Sequence, residues 1–124
     1  MKTAILVMSD PKAQSEEALG RVFNALAAAH DFKEQGHEVT VLFNGTGTRW
    51  IAELSNPEHP LAGLFELTKG LIAGVSCGCA DVFGATESVE KSGFDLVHEN
   101  MIPGTKGLPS VAKLAADGFN VITF

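Results

Sequence analysis

Strand-like runs and helix-spaced segments alternate along the whole chain, and this constrains the fold more than any other feature of the sequence. Ala4-Ile-Leu-Val-Met8 is a continuous apolar run, the mark of a strand buried on both faces. Ser15-Glu16-Glu17 follows as an N-cap with acidic first-turn residues. Leu19, Val22, Phe23, Leu26 and Phe32 then recur at helical spacing, and Gly36 suits the left-handed cap that ends such a helix. Glu38–Phe43 reads as a second strand. Asn44-Gly-Thr-Gly47 turns the chain, Thr48 caps a short helix through Leu54, and Asn56-Pro57 and His59-Pro60 break it. A helix over Leu61–Lys69 leads to a third strand, Leu71–Val75. A helix from Thr86 or Ser88 stops at Gly93, ahead of strand four at Phe94–His98. Glu99–Gly107 is a loop, Pro109 fits a first helical turn, and Phe119–Phe124 is strand five.

Such alternation implies right-handed βαβ units and a parallel sheet with helices on both faces. The expected class is α/β: a flavodoxin-like three-layer α/β/α domain spanning residues 1–124, with five parallel strands in the order 2-1-3-4-5. In that order the ligand crevice opens at the carboxyl ends of strands one and three, occupied by Ser9-Asp10 and by Ser76–Cys79. The last strand, Val121-Ile-Thr-Phe124, is apolar with no helix after it, so cover from a second subunit is expected.

Composition narrows the partners. Nine Lys and Arg against fifteen Asp and Glu give a net charge of −6, and there is no basic face for nucleic acid and no basic amphipathic helix for a membrane surface. Lys2 precedes an apolar run, but Ser9-Asp10-Pro11 stops it short of a secretory signal, and no run reaches transmembrane length. The expected location is the cytoplasm, where thiols stay reduced.

Chemistry concentrates at Cys77-Gly78-Cys79, which holds the only cysteines. They follow the third strand, where α/β proteins keep reactive groups. If Ala80–Phe83 forms a helical turn, Cys79 meets the positive end of its dipole and free N–H groups, which favour the nucleophilic thiolate. Free cysteine is equally at home as buried packing, and Cys77, closing an apolar strand, leans that way. His30, His37, His59 and His98 lack paired metal spacing; Cys77, Cys79 and His98 form the one metal set that topology would permit, and neither a metal nor a cofactor is expected. Gly45-Thr-Gly47-Thr-Arg49-Trp50 follows the wrong strand for a dinucleotide fingerprint, carries Trp50 where the third glycine belongs, and lacks the Walker lysine. Arg49 and Trp50 are left to cover a pocket or a subunit contact. Ser9-Asp10-Pro11-Lys12 lacks the hydroxyl- and glycine-rich character of a flavin phosphate loop, and Ser76 has no triad partners at recognisable spacing.

Over nearly its whole length the chain resembles the DsrE/DsrF-like (YchN-like) family of small flavodoxin-like proteins, which includes sulfur-relay subunits. The matching stretches are Gly36-His-Glu-Val-Thr-Val41, Gly45-Thr-Gly-Thr-Arg-Trp50, Gly74-Val-Ser-Cys-Gly-Cys-Ala80 with Phe83-Gly84, and Gly107-Leu-Pro109. The resemblance implies a cysteine after strand three that carries sulfane sulfur as a persulfide. By position this is Cys79, with Cys77, Ser76, Asp10 and His98 as auxiliary candidates and Ser9, Gly78, Arg49 and Trp50 in the surrounding turns. It also implies a trimer or hexamer, and sulfur donor and acceptor proteins as partners. Similar members often show Cys-x-x-Cys-Ala; here Ser76 stands where the first cysteine falls, which argues against a dithiol couple and for single-thiol chemistry. Two functions are therefore expected to compete: a sulfur carrier or sulfurtransferase-like subunit, and a non-enzymatic ligand-binding or regulatory module with structural cysteines.

Overall fold

The computed structural model describes every residue from Met1 to Phe124. It is an α/β domain built on one five-stranded, all-parallel sheet. The strands are β1 (Lys2–Val7), β2 (Glu38–Phe43), β3 (Ile72–Ser76), β4 (Leu96–Val97) and β5 (Phe119–Thr123). The helices are α1 (Glu16–Glu34), α2 (Trp50–Leu54), α3 (Ala62–Thr68), α4 (Cys77–Val82), α5 (Thr86–Ser92) and α6 (Val111–Ala116).

The long helix α1 follows from local sequence. Ser15 Oγ accepts the Ala18 N–H at 3.0 Å, Glu16 and Glu17 sit on the positive dipole end, and Gly36 leaves the helix at φ +82°. Ala18, Val22, Ala25, Leu26 and Ala29 form its buried stripe. They pack on Ile5 and Val7 of β1 and Val41 and Phe43 of β2, alternate residues that share one sheet face. Trp50, Ile51 and Leu54 of α2, Phe65 of α3, and Ala80 and Val89 from α4 and α5 belong to the same core.

That shared core explains one departure from expectation. The strand order is 4-3-2-1-5, not 2-1-3-4-5. Because α2 and α3 lie on the face that α1 covers, a right-handed crossover carries the chain onward past β2 instead of back over β1. β3 therefore pairs with β2, with Val41 opposite Ile72 and Phe43 opposite Val75, and Ala73 is the extra residue at a register shift. Only the return from β4 to β5 runs the other way, which puts α6 on the opposite face. There Lys2 Nζ donates to the Asp117 carbonyl at the end of α6, 3.0 Å away. The order reverses between β1 and β5, so the topological switch lies there and not between β1 and β3.

Three elements differ locally. The turn after β2 is a 3-10 segment, Gly45–Arg49, in which the Thr48 hydroxyl donates to the Gly45 carbonyl and does not cap α2. β4 is confined to Leu96–Val97. α6 starts beyond Pro109, with Ser110 Oγ accepting the Lys113 N–H. No helix is long and apolar enough to cross a membrane.

Candidate functional site

The cysteines are helical residues. Ser76 ends β3 fully buried and becomes the N-cap of α4, its Oγ accepting the Cys79 N–H at 3.3 Å. Cys77 is thus the first residue of the helix and Cys79 the third, both free and partly buried. At about 100° per residue their side chains diverge by about 200° around the axis, and residues two apart do not face each other. Gly78 lies between them, its N–H donating to the Gly107 carbonyl at 2.6 Å. A Cβ on Gly78 would stand 2.8 Å from that oxygen, so only glycine fits. The first-turn N–H groups of Gly78 and Cys79 are both engaged, and the free helix-end donors expected around the sulfur are already spent on the fold.

Cys79 lines a pocket of about 170 Å³ together with Gly78, Val82, Phe83, Thr105 and Leu108; Cys77 does not. Cys79, Val82 and Phe83 stand at i, i+3 and i+4, the spacing that brings helical side chains to one face. Thr105 and Leu108 come from the connection after β4, which folds back on itself. Asn100 and Leu108 exchange both backbone hydrogen bonds, at 2.7 and 2.9 Å. Lys106 pairs with Asp81 at 3.4 Å, but both groups are exposed and such a pair contributes about 0–1 kcal/mol. Gly107, at φ +86°, lies against His98, whose Cβ and carbonyl oxygen would each be 2.8 Å from an added Cβ. His98 is itself exposed and serves as backing for Gly107. No three His, Cys, Asp or Glu side chains converge to hold a metal, so Cys77, Cys79 and His98 do not form the set that topology had permitted.

The remaining candidates form a second group, centred on the turn after β2. The Trp50 indole N–H donates to Ser9 Oγ at 3.1 Å, and the Ser9 hydroxyl donates to the Ala18 carbonyl at 3.2 Å. Trp50 is buried in the core of its own chain and also lines a cleft with Glu53 and His59. Arg49 Nη1 donates to Asp10 Oδ2 at 3.0 Å, and Arg49 Nε to the Phe83 carbonyl at 3.1 Å. Asp10 and Ser9 also line the largest cleft, of about 390 Å³, together with Ser15, Arg21 and Thr123. This cleft opens at the carboxyl ends of β1 and β5, where the strand order reverses.

The pocket walls Val82, Phe83, Thr105 and Leu108 were not expected as site residues. For Val82 and Phe83 the signal is the i, i+3, i+4 pattern counted from Cys79, visible only if the helix is started at Ser76; Thr105 and Leu108 come from a distant connection and carry no such local signal.

Comparison with known proteins agrees with this architecture. The model of the DsrE/DsrF-like family matches residues 1–124. The chain belongs to the DsrE/DsrF-like family. This family is generally related to sulfur relay. The chain is also 29% identical, over 90 residues that make up 73% of each protein, to an uncharacterized protein of Methanocaldococcus jannaschii, MJ0733. No solved structure matches it. In this DsrE/DsrF-like domain the arrangement at α4 places a single thiol on a small pocket with largely apolar walls.

Proposed function

We propose that this protein is a sulfur carrier or sulfurtransferase-like subunit that holds persulfide sulfur on Cys79. The observation that carries this reading is that Cys79 is the thiol that lines a pocket, while Cys77 is turned away from it on the same helix. In the loading step the Cys79 thiolate attacks the outer sulfur of a donor persulfide. The donor S–S bond breaks, the donor thiolate leaves, and Cys79 carries the new persulfide. In unloading, an acceptor thiolate attacks that outer sulfur and the Cys79 thiolate is released, so no external oxidant or reductant is consumed. Phe83 and Leu108 give the held sulfur apolar neighbours on the protein side. Donor and acceptor proteins are the proposed partners, and the net charge of −6 suits ones with a basic contact face. A homo-oligomer, trimeric or hexameric, fits the free edge of β5, where Asn120, Ile122 and Thr123 are exposed. Incubation with a persulfide donor followed by intact mass should show one added sulfur on the wild type and none on Cys79→Ser. Equal addition to both would refute the reading.

The cleft at the β1/β5 switch supports a second reading, a ligand-binding module with packing cysteines. It predicts slow alkylation of both thiols and a small molecule retained in native mass spectra.

A further inference from the structure

We infer that Arg49 is a positioning residue for the Cys79 pocket, holding the Phe83 ring in place as its wall and so setting which molecules reach the thiol. Arg49 itself is fixed on both sides along the chain. Two residues earlier, Gly47 is pressed so closely on β1 that an added Cβ would fall 2.1 Å from the Val7 carbonyl oxygen. One residue later, the Trp50 indole is tied to Ser9. The guanidinium then uses three different parts of itself. Nε donates to the Phe83 carbonyl at 3.1 Å, Nη1 donates to Asp10 Oδ2 at 3.0 Å, and Cζ lies 5.4 Å from the centre of the Phe83 ring. The ion pair is well sheltered, with Arg49 22% and Asp10 28% exposed. A rigid fork that donates in two directions while lying against an aromatic face is a task for arginine and not for lysine.

Phe83 is the right target for such a grip. It is the C-cap of α4, and its N–H donates to the Cys79 carbonyl at 2.9 Å. Its carbonyl belongs to the end of a six-residue helix, where such groups lack intrahelical partners and a cation is favourable. Phe83 is common to two hollows: it lines the Cys79 pocket and also a smaller cavity of about 140 Å³ that Arg49 lines. Arg49 thus grips a residue of the Cys79 pocket without itself lining that pocket.

The inference goes beyond the sulfur-carrying proposal and is tested without sulfur. In the Cys77→Ser protein, the rates of Cys79 alkylation by N-ethylmaleimide and by iodoacetamide are measured, and their ratio reports the apolar wall. Arg49→Lys should lower that ratio about 5-fold, and Asp10→Asn, which frees the guanidinium without altering α4, about 2-fold, the scale of coupling between contacting residues. In a Phe83→Ala background the Arg49→Lys effect should vanish, because no ring is left to place. A lowered thermal midpoint with an unchanged ratio in both variants would overturn the inference and leave Arg49 a structural staple. Persistence of the full effect without the Phe83 ring would overturn it as well. Should Arg49→Lys fail to fold, the Asp10→Asn ratio alone, with and without the ring, decides. A wild type that takes up no sulfur defeats the sulfur-carrying proposal but leaves these rates interpretable.

Discussion

Two hollows open on the carboxyl side of the sheet, and they differ in every respect that matters. The cleft at the ends of β1 and β5 is the larger, about 390 Å³, and presents Asp10, Ser15 and Arg21. The hollow at the end of β3 is less than half that size, about 170 Å³, and sets one thiol among Val82, Phe83 and Leu108. Strand order decides where a parallel sheet offers a crevice. The end of the strand that bears the nucleophile decides where the chemistry can be. Here the two criteria select different places, separated in the sheet by β2. A single ion pair spans the gap: Asp10 lines the cleft, and its partner Arg49 grips Phe83 of the thiol pocket.

The contrast can be broken experimentally, most forcefully at the sulfur. Cys79→Ser should abolish persulfide loading, while Cys77→Ser should retain at least about half of it, since only one thiol faces a pocket. Loss on Cys77→Ser with retention on Cys79→Ser, read by intact mass, would exchange their roles.

Next in size is the clamp between α4 and the connection after β4. Gly78→Ala should lower stability by about 1–3 kcal/mol, because its Cβ meets a backbone oxygen that cannot move without displacing Gly107. Urea denaturation measures this, and Cys79 alkylation should speed up in the same variant as the lining from the connection loosens. An unchanged midpoint would mean that the clamp is slack.

On the cleft side the sign reverses. Gly20 lies within α1 with nothing within 4 Å of an added Cβ, so Gly20→Ala should stabilise by about 0.5–1 kcal/mol and leave Cys79 reactivity alone. Smallest of all is Arg21→Ala. It removes an exposed pair with Glu17, should shift stability by no more than about 0.5 kcal/mol, and should not alter sulfur loading. If it did alter loading, the two hollows would be one functional unit.

Much of this was legible in the residues, and the failures have physical causes. α1 could be read from Ser15 to Gly36 because capping, dipole and periodicity all agree there. The strand order could not. It depends on which sheet face receives Trp50, Ile51, Leu54 and Phe65, and an apolar residue carries no label for one face over the other. β4 was expected to run from Phe94 to His98. However, Phe94 packs on the Phe65 ring, 5.8 Å away, and the pairing with β3 covers only Leu96 and Val97, opposite Val75 and Ser76. Position singles out Cys79 and suggests a helical turn over Ala80–Phe83 after it, but α4 already begins at Cys77, so Cys79 lies inside the helix and not ahead of it. Ser76, noted as the place where a related chain would carry a cysteine, is better understood as a helix cap, a role in which serine excels.

The divergence of Cys77 and Cys79 around α4 also governs how this protein would age under oxidants. A sulfenic acid formed on Cys79 has no resolving thiol on its own side of the helix. Closing a ring with Cys77 would require unwinding the first turn and giving up the Ser76 cap. Peroxide damage therefore has two exits: capture by a thiol from another molecule, which is reversible, or further oxidation to the sulfinic acid, which is not.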